Sequence, residues 1–204
     1  MAKKKVKKVE LDEESTEFTT RAAEKDMFLD IAPYLIIIFF IVVIRIFIAT
    51  PVSVNGTSMF PTLEDGDTML LYKLAKTTRG IKREDIVVIE TGSGKLIKRV
   101  IGKPGDRIQY KKEKKDDQEI YVLYRNGKKI KEEYLEQEVI NQTCLEEWDI
   151  CKEEIKLGKE EYYVLGDNRG NSKDSRMLGT IDYDDILGIT ELVIFPFNRF
   201  GIKE

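Results

Sequence analysis

Apolar positions follow two regimes along the chain. From Phe28 to Ala49 they are nearly continuous, and Ile31 to Ile44 carries no charge at all. A helix apolar on every side, with no polar face, suits lipid better than a half-buried surface position. The charge-free core is short of the about 20 residues a bilayer requires, but Arg45 can snorkel and Ile46-Phe47-Ile48-Ala49 complete the length. The pattern predicts one transmembrane helix over 28–49. A cleaved signal peptide fits less well, because the lysine cluster lies well upstream and Phe47-Ile48-Ala49 lacks a small residue at the spacing a cut requires.

After Thr50 the pattern becomes strand-like. Thr68–Tyr72, Asp85–Glu90, Lys95–Ile101, Ile120–Tyr124, Glu161–Leu165 and Ile186–Phe195 are short, rich in Val, Ile and Tyr, and bounded by Gly, Pro and Asp. They predict a mostly β domain over 50–204, built of antiparallel sheets forming a distorted barrel. Between Lys111 and Lys159 the chain turns Lys- and Glu-rich, and Arg125-Asn126-Gly127-Lys128 signals a hairpin. This stretch, 111–159, reads as a peripheral insertion whose charges form a solvated face.

Charge and composition refine that outline. The 204 residues carry a net charge of only −3, so no global field points to nucleic acid. A basic start (Lys3, Lys4, Lys5, Lys7, Lys8) meets an acidic block (Glu10, Asp12, Glu13, Glu14, Glu17), which reads as a charged, disordered tail over 1–27 and opposes phosphate binding. Arg21, Lys25 and the upstream lysines precede the apolar span, whereas Thr50 to Tyr72 holds no basic residue. The N-terminus is therefore expected in the cytoplasm and the β domain outside the cell membrane. The two cysteines, Cys144 and Cys151, have neither the spacing nor the histidine partners of a zinc site. They are either a local disulfide or two thiols. No metal and no cofactor are expected.

The chain contains no histidine, which excludes a Ser-His-Asp triad and leaves a lysine, a carboxylate or a terminal amine to activate any hydroxyl nucleophile. Ser58 sits in Val54-Asn55-Gly56-Thr57-Ser58-Met59-Phe60-Pro61, directly after the apolar span. Lys98 stands in an alternating apolar run beside Arg99, and neighbours in a strand face opposite ways, so one of the pair turns to solvent or a salt bridge and the other inward. Apolar burial disfavours an ammonium. Lowering a lysine from about 10.4 toward 7 amounts to roughly 4 to 5 kcal/mol and creates a general base for neutral pH. The third stretch, Gly166-Asp167-Asn168-Arg169-Gly170-Asn171-Ser172-Lys173-Asp174-Ser175-Arg176, has the composition of a hydrogen-bonded loop, with Asp174 and Arg176 bracing it as an ion pair.

In that order and spacing, the Ser58 stretch, Asp85-Ile86-Val87-Val88, Lys98-Arg99 through Gly102-Lys103-Pro104-Gly105-Asp106, and the Gly166–Gly179 stretch closely resemble the bacterial type I signal peptidases. The resemblance covers Phe28 to about Phe197. It implies a membrane-bound serine endopeptidase that removes N-terminal signal peptides from secreted preproteins with a Ser-Lys dyad. Ser58 matches the nucleophile, Lys98 the general base and Ser172 the hydroxyl that orients it, while Asp167, Arg99, Asp174 and Arg176 match supporting residues. Some members place a serine two positions before the nucleophile to help form the oxyanion hole. Gly56 stands there in this chain, leaving a backbone N–H near Gly56 or a water as the second donor. The implied partners are preproteins with small residues before the cut, and the lipid bilayer.

Two rival readings remain on the sequence. Gly92-Ser93-Gly94-Lys95 is only partly like a phosphate loop and reads better as a hairpin turn. The chain is otherwise a catalytically silent, membrane-tethered binding module, against which the joint presence of Ser58 and Lys98 argues.

Overall fold

The computed structural model describes residues 30–43, 49–115, 118–135, 144 and 153–203. The chain divides into two compact units, Met1–Arg45 and Ile46–Glu204. In the first, residues 30–43 are helical, and the apolar side chains from Ile31 to Val42 are exposed around the helix. At about 1.5 Å per residue this stretch spans about 21 Å. Among the described residues no helix is long and apolar enough to cross a membrane. Part of the expected span, at 28–29 and 44–48, lies outside the described residues, as does the whole expected tail at 1–27. Ala49 belongs to a strand rather than to the helix.

The second unit is built from β1 (Ala49–Ser53), β2 (Thr68–Tyr72), β3 (Ile86–Thr91), β4 (Gly94–Gly102), β5 (Arg107–Lys115), β6 (Gln118–Arg125), β7 (Lys128–Lys129), β8 (Ile155–Lys156), β9 (Glu161–Leu165), β10 (Ile181–Asp182), β11 (Ile186–Phe195) and β12 (Gly201–Ile202). One sheet runs β1-β2-β11-β3-β4-β9-β10, with β12 also on β11, and a smaller one runs β7-β6-β5-β8. Every pairing is antiparallel, as the strand pattern predicts. The expected barrel does not close. Closure needs partners for both edges, and among the described residues β1 pairs only with β2 and β10 only with β9. The large sheet therefore stays open, bent by bulges in β11 and β4.

Alternation along the central strands fills both faces. On β9, Tyr162 and Val164 join a core with Val87, Ile89, Val100 and Ile189, while Tyr163 and Leu165 turn to a second core with Ile101, Ile108, Tyr110 and Leu123. The second core seats the small sheet on the large one, so the Lys/Glu-rich stretch is no mere appendage. Its lysines at 111, 112 and 114 are exposed, whereas Ile108, Tyr110, Ile120 and Leu123 are buried. Both predicted turns form. Asn126 and Gly127 take φ of 53° and 76°, the left-handed pair that a two-residue hairpin demands, and Gly92-Ser93 joins β3 to β4. Cys144 is buried and disulfide-bonded; Cys151 lies outside the described residues.

Candidate active site

A loop between β1 and β2 carries Ser58, and its ends are tied at Val54, whose N–H donates to Asp67 O (2.7 Å) and whose carbonyl accepts from Gly66 N–H (3.0 Å). Met59 and Leu63 plug into a third core with Val54, Met69, Ile86 and Val193. With Met59 anchored in this way, Ser58 itself is left half-buried. Asp67, buried at the loop's base, receives Arg199 Nε at 2.9 Å and Nη2 at 3.0 Å, and Arg199 also donates to Glu64 at 2.6 Å. Burial alone would push the Asp67 carboxyl up, but the Arg199 guanidinium outweighs it and the group is held below its ordinary range.

Lys98 enters from β4, opposite Val87 of β3. Its Nζ donates to Ser58 Oγ at 2.7 Å and to the Ile97 carbonyl at 2.8 Å, and the residue is 1% exposed. Burial lowers its pKa from 10.5 to about 8, against the upward pull of Asp174 and Asp167. Those carboxylates fail to hold the ammonium in place because each is already claimed. Arg99 grips Asp167 through Nε (2.9 Å) and Nη2 (2.7 Å), and Arg176 grips Asp174 through the same two nitrogens (2.8 Å each). All four side chains are at most 1% exposed. Lys98 and Arg99 point opposite ways, as strand geometry requires, yet both are buried, with the salt bridge serving Arg99 in place of water.

The stretch after β9 closes over the Ser58 loop. Asn168 N–H donates to the Ser58 carbonyl at 3.0 Å, Asn168 Nδ2 to the Thr57 carbonyl at 3.1 Å, and Asn171 Nδ2 to Thr57 Oγ1 at 3.0 Å. Gly166 permits the approach: a Cβ there would overlap Ser172 Oγ and the Ser58 carbonyl oxygen. Asp174 accepts from Gly166 N–H at 3.0 Å and caps the short helix Ser175–Leu178. Its carboxyl stays low although burial would raise it, chiefly because Arg176 donates to it.

Among the described residues the Ser172 hydroxyl, buried beside this loop, makes no hydrogen bond to Lys98; it lies instead beside Asp174, whose carboxyl it helps to hold low. Gly56 cannot lend its own N–H to an oxyanion, because that N–H donates to Asp65 Oδ1 at 2.6 Å; with φ at 89°, its contribution is the turn into the Ser58 loop.

Sequence reading missed Glu132 and Tyr134, which it placed on a solvated face. Arg169, fully buried, donates to both Glu132 carboxylate oxygens and to Gly166 O, and Tyr134 lays its ring 4.0 Å from the Arg99 guanidinium while its hydroxyl donates to Glu132. A tyrosine among lysines and glutamates was the one signal available. Beside Ser58 and Lys98, Val52, Ser53, Val54 and Asn55 on one side and Lys95, Leu96 and Ile97 on the other line a cleft of about 350 Å³.

Residues 28–195 match the family described as signal peptidase, peptidase S26. Signal peptidase I T of Bacillus subtilis (strain 168) is 41% identical over 163 residues, covering 76% of this chain and 79% of its own. Signal peptidase I of Bacillus licheniformis is 40% identical over 164 residues, covering 76% and 82%. A crystal structure of a signal peptidase I from Enterococcus faecalis aligns with 53% of this chain and 95% of its own, at 28% identity and a TM-score of 0.41. With the family matched over most of its length, the chain belongs to the signal peptidases of peptidase family S26.

Proposed function

We propose that the protein, a serine endopeptidase that removes signal peptides from preproteins, works through a dyad of Ser58 and Lys98. The observation that carries this is the 2.7 Å contact between a buried lysine amine and the Ser58 hydroxyl. Neutral Lys98 takes the Ser58 proton as Oγ attacks the scissile carbonyl carbon. The Ser58 N–H receives the oxyanion, Lys98 returns the proton to the departing amine, and an acyl-enzyme remains. Water then loses a proton to Lys98 and attacks the ester carbon, and as the ester bond breaks Lys98 passes that proton to the departing Ser58 Oγ, restoring the hydroxyl and the neutral amine. Asp167, Arg99, Asp174 and Arg176 keep the surrounding loop rigid without holding Lys98 charged.

The cleft supports an extended substrate. Among the described residues β4 pairs with β9 only from Arg99 onward, which leaves Lys95–Lys98 without a strand on that side, and β1 is an edge of its sheet. A cleavage segment adds between them as a strand, register fixed by backbone hydrogen bonds, with small residues before the cut. The apolar run at 28–49 anchors the protein in the cell membrane, with the N-terminus cytoplasmic and the catalytic unit outside. Exposed Phe195, Phe197, Phe200 and Ile202 suit a surface that meets lipid.

The test is incubation of the detergent-solubilised protein with a preprotein whose signal ends in Ala-x-Ala, with product termini read by mass spectrometry. Cleavage directly after that motif is expected from the wild type and none from Ser58→Ala. Wild-type cleavage by Ser58→Ala would overturn the dyad.

A further inference from the structure

The peptide unit joining Thr57 to Ser58 is held from one side. Its carbonyl accepts from Phe60 N–H and from Asn168 Nδ2, each at 3.1 Å. The unit is trans, so carbonyl and N–H leave the plane in opposite directions. Turning the Thr57 carbonyl toward Asn168 therefore turns the Ser58 N–H away from it. Gly56, Phe60 and Leu63 all donate their N–H groups within the loop. Among the described residues the Ser58 N–H donates to nothing.

We infer that Asn168 is a positioning residue for transition-state stabilisation, its carboxamide setting the direction of the Ser58 N–H that receives the oxyanion. The inference rests on Ser58 being the nucleophile. The chemistry demands an amide at this position. Phe60 N–H meets the Thr57 carbonyl from within the loop and Asn168 Nδ2 is the donor that reaches it from outside, where a carboxylate of the same shape would set oxygen against oxygen. The Asn168 backbone N–H separately holds the Ser58 carbonyl at 3.0 Å, so replacing the side chain leaves the loop attached and frees only the tilt of one peptide plane. Asn171 serves as the internal control, since its side chain donates to the Thr57 hydroxyl rather than to the carbonyl, and its backbone N–H, which donates to the Asn168 carbonyl at 3.0 Å, survives the substitution.

The experiment compares the full chain with Asn168→Ala, Asn168→Asp and Asn171→Ala in detergent, using a preprotein substrate and a peptide aldehyde ending in Ala-x-Ala. Ser58 Oγ adds to the aldehyde carbon and the hydroxyl proton passes to the new oxygen, which occupies the oxyanion position. For both Asn168 variants kcat is expected to fall about tenfold or more, short of the 10²–10³ lost when a donor is removed outright. In Asn168→Ala, KM and the midpoint of the pH–rate profile stay put, aldehyde affinity falls in step with kcat, and melting temperature is unchanged. Asn171→Ala is expected to stay within about twofold of wild type. Unchanged kcat in Asn168→Ala, a loss carried by KM, a displaced pH midpoint, or an equal loss in Asn171→Ala would each overturn the inference. Activity surviving in Ser58→Ala would instead remove the reading beneath it.

Discussion

Replacing Lys98 with methionine separates the cost of the buried amine from its use. Burial takes the lysine from 10.5 in the unfolded chain to about 8 in the folded one. At about 1.4 kcal/mol per pH unit of displacement, the folded state forfeits about 3 kcal/mol at neutral pH. Between about pH 8 and 10.5 the unfolded chain binds the extra proton, so stability rises with pH across that window and the penalty is gone above it. Methionine carries no such penalty, but it leaves Ser58 Oγ without its donor, which gives back about 1 kcal/mol. Lys98→Met is thus expected to be more stable than wild type near pH 7 by about 2 kcal/mol, and to lose that advantage, or reverse it, by about pH 10.5. Urea denaturation of both proteins at several pH values, followed by circular dichroism, reads this directly, because every other titrating group is common to the two and cancels in the difference. The same lysine predicts that wild-type kcat/KM climbs with pH through an apparent midpoint near 8, while Lys98→Met does not cleave. A stability difference that holds constant from pH 7 to 10.5 would refute the lowered lysine.

Two other perturbations test the scaffold. Gly166→Ala drives a methyl into Ser172 and the Ser58 carbonyl, and is expected to cut kcat/KM about a hundredfold through misplacement of the nucleophile; wild-type turnover would show that the two loops do not need this contact. Glu132→Ala strands the buried Arg169 guanidinium and should cost about 3 to 5 kcal/mol in urea denaturation, with Arg169→Met added on top recovering part of it. No recovery in the double variant would mean that the pair is not coupled.

Much of this architecture is legible in the sequence, and the failures have physical reasons. Strands β2, β9 and β11 coincide with runs of β-branched and aromatic residues, because their side chains are buried in alternation or on both faces. β5 was missed because only Ile108 and Tyr110 are buried and the rest of Arg107–Lys115 is polar, so the lysines that face water masked its period. β1 was missed because Ala49-Thr50-Pro51 continues an apolar run; the proline is tolerated there since β1 is an edge. At the site, the family resemblance singles out Ser58 and Lys98, the absence of histidine narrows the choice of base, and the structure sets the two side chains 2.7 Å apart. Glu132 and Tyr134 were lost because a charge buried by folding back looks, in sequence, the same as a charge in water. The oxyanion geometry depends on where the Gly56 and Ser58 N–H groups point, and amide directions leave no trace in residue identity.

The large sheet also constrains the timetable of its own assembly. β11 lies between β2 and β3, so a strand translated near the end of the catalytic unit must slot between two translated near its start. Arg199, which fastens the base of the Ser58 loop, follows its partner Asp67 by 132 positions. A nascent chain therefore carries Ser58 long before it possesses the parts that set that residue in place, and folding waits on contacts between distant segments, which close slowly. Until β11 and Arg199 have joined, the Ser58 loop lacks the central strand and the ion pair that fasten its base.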